Sequence, residues 1–273
     1  TQVIITGGID LSSGSVVAMT AMIAMSFAQS STYARAIYPS LTDLPVIVPI
    51  LVALVIGGLA GSINGALIAY TKIPPFIATL GMMMIAQGLA LVISGVAPIY
   101  FSSSAPDFKQ IALGTLIPGL PNAVLITIVL AVIAYLILNR TILGRYTFAI
   151  GSNEEATRLS GVNTRRWKVL IYMLAGAFTG IAGVVIASRL DSAQPQLGVG
   201  YELQAIAAVI IGGTSLLGGR GSILGTVIGA LIMSVLINGL RIMSIQTEWQ
   251  NVVVGIVILI AVFFDSLRNR QHT

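Results

Sequence analysis

NRTILGRYTFAIGSNEEATRLSGVNTRRWK, residues 139–168, is the longest polar and charged interval in an otherwise apolar chain. It holds Arg140, Arg145, Arg158, Arg165, Arg166 and Lys168, together with the adjacent acids Glu154 and Glu155. Long charge-free runs flank it on both sides. Such an interval belongs in water between two membrane spans, and its basic excess puts that water in the cytoplasm. It also carries a short helical signal of its own. Ser152 or Asn153 can cap a helix that opens on Glu154 and Glu155, whose charges suit the positive end of the helix dipole. Gly161 is a natural stop for that helix. The expectation is a helix of roughly two turns on a basic stem; the bland alternative is a solvated loop.

Composition agrees with that placement. Of 273 residues, 56% are hydrophobic and 8% charged, whereas soluble domains are about a quarter charged. With a mean hydropathy of +0.97, the chain reads as a polytopic membrane protein with little soluble mass. It has no cysteine, which removes disulfides, thiolate metal sites and cysteine nucleophiles together. The single histidine, His272, reads as a tail residue. A net charge of +5 would hint at nucleic acid in a soluble protein. Here the positive-inside bias accounts for it, and no nucleic-acid partner is expected. Residues 1–6 are apolar, too short to span, and lack the basic start of a signal peptide. They read as the end of a span that begins upstream, with at least one N-terminal span missing from this sequence.

Charge-free windows place spans at about 13–30, 46–70, 75–95, 121–138, 169–188, 203–217, 222–240 and 249–264. The window at 203–217 is short and could instead be re-entrant. With eight spans, the interval 139–168 and a C-terminal tail carrying Asp265, Arg268 and Arg270 both fall inside, as do Lys72 and Arg220. Arg35, Lys109, Arg189 and Arg241 fall outside, with Asp43, Asp107, Asp191, Glu202 and Glu248. The inner excess of basic residues supports this orientation. Glycines recur every fourth residue at Gly57, Gly61 and Gly65, at Gly176 and Gly180, and at Gly225 and Gly229, a spacing that lets helix backbones approach closely.

Two stretches resemble one another. Residues 4–15 read IITGGIDLSSGS and residues 210–222 read IIGGTSLLGGRGS. Each has an apolar segment, a double glycine, a small polar cluster, and then a new apolar helix. Gly7, Gly8 and Asp10 mark the first break. Gly212, Gly213, Thr214, Ser215, Gly218 and Gly219 mark the second. Helix breaks at membrane depth are tolerated only where protein or a water-filled cavity receives the freed backbone groups. In corresponding places of two halves they point to a transporter built from repeats. The fold expected is therefore all-α, a polytopic helical transmembrane bundle with interrupted helices and two internally similar halves, forming one domain over 1–273. The span count makes the repeats parallel; one span more or fewer would invert them.

Several function classes fall away. The spacing of Gly213 and Gly218 matches G-x-x-x-x-G, but Gly219-Arg220 stands where Lys and Ser/Thr are required, so no nucleotide loop is read there. No pair of titratable groups shares a cleft for acid–base work, and no cluster has metal-ligand spacing. Asp10 lies beside a break; it or Ser12 can cap the helix that follows, a role in the pathway being the alternative. Polar residues within the spans are neutral, which suits a neutral polyol or sugar better than ion coupling. If ATP drives transport, the ATPase must be another chain. A stand-alone facilitator is the competing class.

Five stretches carry a family resemblance: GGIDLSSGS (7–15), PPFIATLGMM (74–83), LGRYTFAIGSNEEATRLSGVN (143–163), SAQPQLGVGYELQAIAAVIIGGTSLLGGRGS (192–222) and FFDSLR (263–268). They are similar to the membrane subunit of bacterial sugar importers of the ABC class, most to the ribose permeases and next to the galactose/methyl-galactoside permeases. The resemblance implies a homodimer in the inner membrane, in contact with lipid, on two copies of an ATPase, supplied by a periplasmic sugar-binding protein. ATP and Mg would sit on the ATPase and no cofactor on this chain, which would be no enzyme itself. It further implies that 139–168 is a cytoplasmic coupling loop, with Ser152, Asn153, Glu154, Glu155, Ala156, Arg158 and Gly161 forming the helix that docks on the ATPase. Transport would proceed by alternating access, with Asn64, Gln87 and Asn238 as path-lining candidates and the C-terminus in the cytoplasm.

Overall fold

The computed structural model describes residues 1–33, 36–100 and 106–270. Arg35 and His272 lie outside them. Among the described residues six helices are long and apolar enough to cross a membrane. They are α3 (Ile47–Thr71), α4 (Pro75–Ser94), α6 (Asn122–Arg140), α9 (Thr164–Leu190), α11 (Ile223–Ile242) and α12 (Thr247–Arg270). Two shorter apolar helices, α2 (Ser13–Phe27) and α10 (Tyr201–Ile211), occupy the other two expected windows. The remaining helices are α1 (Gln2–Ile5), α5 (Pro106–Leu113), α7 (Ile142–Ser152) and α8 (Glu154–Leu159). Two two-residue strands, β1 (Ile99–Tyr100) and β2 (Ser192–Ala193), pair antiparallel with Ile99 opposite Ala193. The polytopic helical bundle read from the sequence is thus the fold observed.

Three windows need correction. The helix in 203–217 stops at Ile211 because the glycines that follow take up the turn, so this element is too short to span alone. The helix in 13–30 stops at Phe27. At the other end α12 continues to Arg270, so Asp265 belongs to a helix and not to a tail.

The chain divides into two compact units, and α6 and α9 contribute residues to both. One unit comprises 10–130 and 168–199. Its centre is α2, enclosed along nearly its whole length and packed on α3 and α4. Here α3 and α9 meet glycine on glycine. A methyl on Gly57 would strike the Gly176 carbonyl oxygen, and one on Gly61 that of Tyr172. Without a hydrophobic force between helices in lipid, such close backbone approach supplies the dispersion contacts that hold them. The loops of this unit are fastened by buried polar groups. Gln29 Nε2 donates to the Tyr100 carbonyl at 3.3 Å and its Oε1 accepts from Ile37 N–H at 2.7 Å. Ser188 Oγ donates to the Phe108 carbonyl at 2.7 Å and accepts from Ala112 N–H at 3.0 Å, pinning α5 to the end of α9. Lys109 and Asp191 form an ion pair at 3.1 Å.

The other unit comprises 1–9, 131–167 and 200–273. Its apolar core has two parts: α10, α11 and α12 meet around Ala207, Ala208, Met233 and Val254, while Ile5, Leu138 and Ile223 form a second cluster with Phe148. Gly225 and Gly229 of α11 face Gly212 and Ala208 backbone, again without room for a side chain.

Candidate functional site

The polar interval 139–168 contains more helix than its sequence suggested. Thr141 caps α7, its Oγ1 accepting from Gly144 N–H at 3.4 Å. Gly144 lies against the Leu138 backbone, so the turn between α6 and α7 is tight. Thr147 and Ile150 are buried along α7 while Arg145 faces out, the pattern of an amphipathic surface helix. Tyr146 packs against Trp167 at the start of α9, ring centroids 4.8 Å apart and the planes tilted by 53°.

Between α7 and α8 the chain turns at Asn153, which is extended (φ −161°, ψ 101°) and ends one helix as it begins the next. Of the two candidate caps, Asn153 is the one used: its Oδ1 accepts from Ala156 N–H at 2.9 Å. Ser152 is instead the exposed last residue of α7. Gly161 closes α8 at φ +86°, with Gly161 N–H on the Arg158 carbonyl at 3.0 Å and Val162 N–H on that of Thr157 at 3.4 Å. This is the double-bonded glycine stop that satisfies the last carbonyls of a helix. Six residues cannot hold a helix alone against the cost of nucleation. The cap, the stop and the buried Thr157 do so here.

The rest of α8 is exposed. Glu154 and Glu155 stand in its first turn, and Arg158 pairs with Glu155 at 2.5 Å, which raises the guanidinium pKa still further. Both side chains are more than half exposed, so water screens the pair and it contributes little to stability. All three charged side chains lie at the exposed surface of α8. Leu159, absent from the sequence reading, is 78% exposed at the end of α8. Its signal was present: a leucine beside Arg158 that no helical period could bury.

The two glycine-rich breaks have the same local structure. Gly7 (φ +74°) stops α1, with Gly7 N–H on the Ile4 carbonyl and Gly8 N–H on that of Val3. Gly213 (φ +84°) stops α10 in the same way, with its N–H on Ile210 and Thr214 N–H on Val209. Positive φ at both sites is why glycine stands there. After the breaks, α2 and α11 start at Ser13 and Ile223. Ser222 caps α11 through its Oγ, whereas Ser12 Oγ donates to Asp10 Oδ1 at 2.6 Å, and the same carboxylate oxygen accepts Ser12 N–H at 2.9 Å. Asp10 therefore shapes the approach to α2, but neither it nor Ser12 makes a side-chain cap bond to that helix, so the expected cap is corrected: the hydroxyl that would have made it is turned to Asp10.

Within their unit the breaks and the end of α7 meet. Gly219 N–H donates to the Ile5 carbonyl at 2.8 Å. A methyl on Gly151 would fall on that carbonyl oxygen and 2.6 Å from Gly219 N. One on Gly218 would lie 2.9 Å from both the Gly151 and Ile5 carbonyl oxygens, and one on Gly219 would be 2.9 Å from Ser152 Oγ. Three backbone segments thus converge without intervening side chains, two residues before the cap of α8. Between Thr214 and Gly218 the second break is held by Ser215 N–H on the Arg220 carbonyl and Gly218 N–H on the Ser215 carbonyl.

The path-lining candidates are placed differently from one another. Asn64 is completely buried and gives its amide N–H to Ser12 Oγ at 3.0 Å. An amide in an apolar span takes the nearest hydroxyl, and here the residue before α2 supplies one. Gln87 is half-buried on α4 and Asn238 exposed on α11.

Residues 2–262 match a family described as branched-chain amino acid transport system, permease component. The ribose import permease protein of Haemophilus influenzae is 42% identical over 268 residues, covering 97% of this chain and 79% of the relative. That of Bacillus subtilis is 43% identical over 265 residues, covering 97% and 78%. The galactose/methyl galactoside import permease protein of Haemophilus influenzae is 38% identical over 269 residues, covering 97% and 80%. No solved structure matches the chain.

Proposed function

Because the chain belongs to the permease-component family that matches residues 2–262, we propose that it is the membrane subunit of an ATP-driven importer for a neutral, ribose-like monosaccharide. The substrate class rests on relatives named for ribose and galactose import and on the neutral polar residues of the spans. The chain is a transport subunit and no enzyme; hydrolysis belongs to a separate ATPase, where ATP and Mg bind. A periplasmic sugar-binding protein delivers the solute. Two copies of the chain assemble in the bacterial inner membrane, with the C-terminus and the 139–168 loop cytoplasmic, and lipid covers the remaining apolar faces. Asn64, Gln87 and Asn238 are the side chains assigned to the path.

One observation carries the mechanism. The exposed, capped α8 stands two residues beyond a junction of both helix breaks. An ATPase that grips α8 through Glu154, Glu155, Ala156, Arg158 and Leu159 moves Gly151, and with it the backbone of α1 and of the α10–α11 break. Closure and opening of the ATPase pair then bias the permease between its two access states by differential binding.

The test uses the assembled importer in proteoliposomes. Glu154→Lys and Arg158→Glu each lower ATP-driven sugar uptake while expression and membrane insertion hold. Unchanged uptake in both reversals overturns the docking role. Solute flux through this chain alone, without ATPase or ATP, turns the reading into that of a facilitator.

A further inference from the structure

We propose that Asp265 is a positioning residue of the coupling machinery, a latch that makes α12 move with the break between α10 and α11. The proposal rests on the reading of α8 as the ATPase-docking helix. Asp265 sits in the last turns of α12, where the sequence suggested only a charged tail. Its Oδ2 accepts the N–H of Leu216 at 3.2 Å. Leu216 lies inside the second break, between Ser215 and the Gly218-Gly219 pair whose backbone meets Ile5 and Gly151.

Packing explains why this contact matters. Further along, α10 and α12 are held by apolar contact through Ala207, Ala208 and Val254. At the Asp265 end they part around a cavity of about 350 Å³, bordered by Ile210, Gly213, Ile260 and Phe264. Asp265 itself borders this cavity, and its carboxylate reaches the break there. A backbone N–H in a turn has few partners to choose from, and a charged acceptor holds it more strongly than a neutral one. The latch therefore joins the break, which the α7 end touches, to a long spanning helix that α7 does not need to reach.

Three variants of the complete importer, with its ATPase and binding protein, separate this role from a purely structural one. Asp265→Asn keeps an acceptor oxygen but loses the charge, so sugar transported per ATP hydrolysed falls by less than in the leucine variant. Asp265→Leu removes the acceptor at similar size, and this ratio falls about tenfold, the factor expected for one hydrogen bond to a charged group, while basal hydrolysis persists. Wild-type coupling in Asp265→Leu, or an equal loss in Asp265→Asn, overturns the proposal. Glu154→Lys serves as the third variant: if it also couples normally, the docking reading of α8 is what has failed. A measurement on the otherwise native chain guards against misfolding of the leucine variant. The chain has no cysteine, so spin labels at Leu217 (76% exposed) and Leu267 (41% exposed) report one distance across the latch. That distance stays the same with and without ATP if the latch holds; its separation on ATP binding refutes it.

Discussion

Replacing Gly151 by alanine puts the junction of the breaks to a direct test. The new Cβ falls on the Ile5 carbonyl oxygen and 2.6 Å from Gly219 N, the two atoms joined by a 2.8 Å hydrogen bond. All of these are backbone atoms, so no rotamer change relieves the contact. Overpacking a fitted interior and loosening one buried backbone bond together cost about 2–4 kcal/mol. Gly255 of α12 provides the control, because a Cβ there meets nothing within 4 Å in the chain. Alanine at 255 exchanges a poor helix former for the best one and gains up to about 1 kcal/mol. The same added methyl thus acts in opposite directions at the two sites. Membrane proteins often unfold irreversibly, so midpoints are compared in one detergent at one scan rate. At roughly 2–4 °C per kcal/mol for a chain of this size, Gly151→Ala lowers the midpoint by about 4–16 °C and Gly255→Ala leaves it level or raised. A Gly151→Ala protein as stable as the parent refutes the close convergence of α1, α7 and the second break.

Two further outcomes follow from the exposed and loop residues. Leu159→Asp leaves the fold intact, because the side chain is 78% exposed, but weakens ATPase binding about tenfold, the worth of one leucine buried in a partner groove; unchanged affinity in a titration removes Leu159 from the interface. Asp43 is held below the ordinary carboxylate pKa by hydrogen bonding from Ser31 and then Ser30. A depressed carboxylate stabilises its loop above the unfolded value of 3.8 and stops doing so as pH falls through the lower folded value. Exchange protection of the Ser31 amide, which donates to Asp43 Oδ2 at 3.1 Å, is accordingly present at neutral pH and lost only in acid below about pH 4; protection that persists in Asp43→Asn argues against the carboxylate as its source.

The spans were legible because charge-free windows of near-membrane length admit little else, and all eight contain an apolar helix. The stop at Gly161 was legible too, since the residue type and the required positive φ coincide. Helix α7 was not. Its Arg145, Tyr146 and Thr147 read as polar linker, and only burial of Thr147 and Ile150 reveals an amphipathic face. The likeness of the two breaks was visible as a pattern of glycines, but nothing in that pattern said that they touch. The Ile5–Gly219 bond joins residues far apart in the chain through main-chain atoms, which carry no residue signature. Asn64 shows the opposite limit. Its polarity was noticed and its partner was not, because Ser12 is brought to it only by tertiary packing.

A relay made of backbone has a physical logic in this setting. Side chains that transmit force must hold one rotamer, and long polar ones in a membrane must also satisfy every donor and acceptor. Where Ile5, Gly151 and Gly219 meet, the contacts between Ile5 and Gly151 and between Ile5 and Gly219 are backbone on backbone, with no rotamer to yield. Different glycines do the two jobs: Gly7 and Gly213 stop α1 and α10 at positive φ with open space around them, whereas Gly151, Gly218 and Gly219 are the positions where the segments approach. Bistability then has a natural location. Helix packing tolerates few intermediate arrangements, whereas the turns between Gly213 and Ser222 and between Gly7 and Ser12 contain the φ freedom that two discrete states need. On the proposed reading of α8 as the docking helix, contact at the junction and φ freedom at Gly7 and Gly213 are what would let its movement reach the spans.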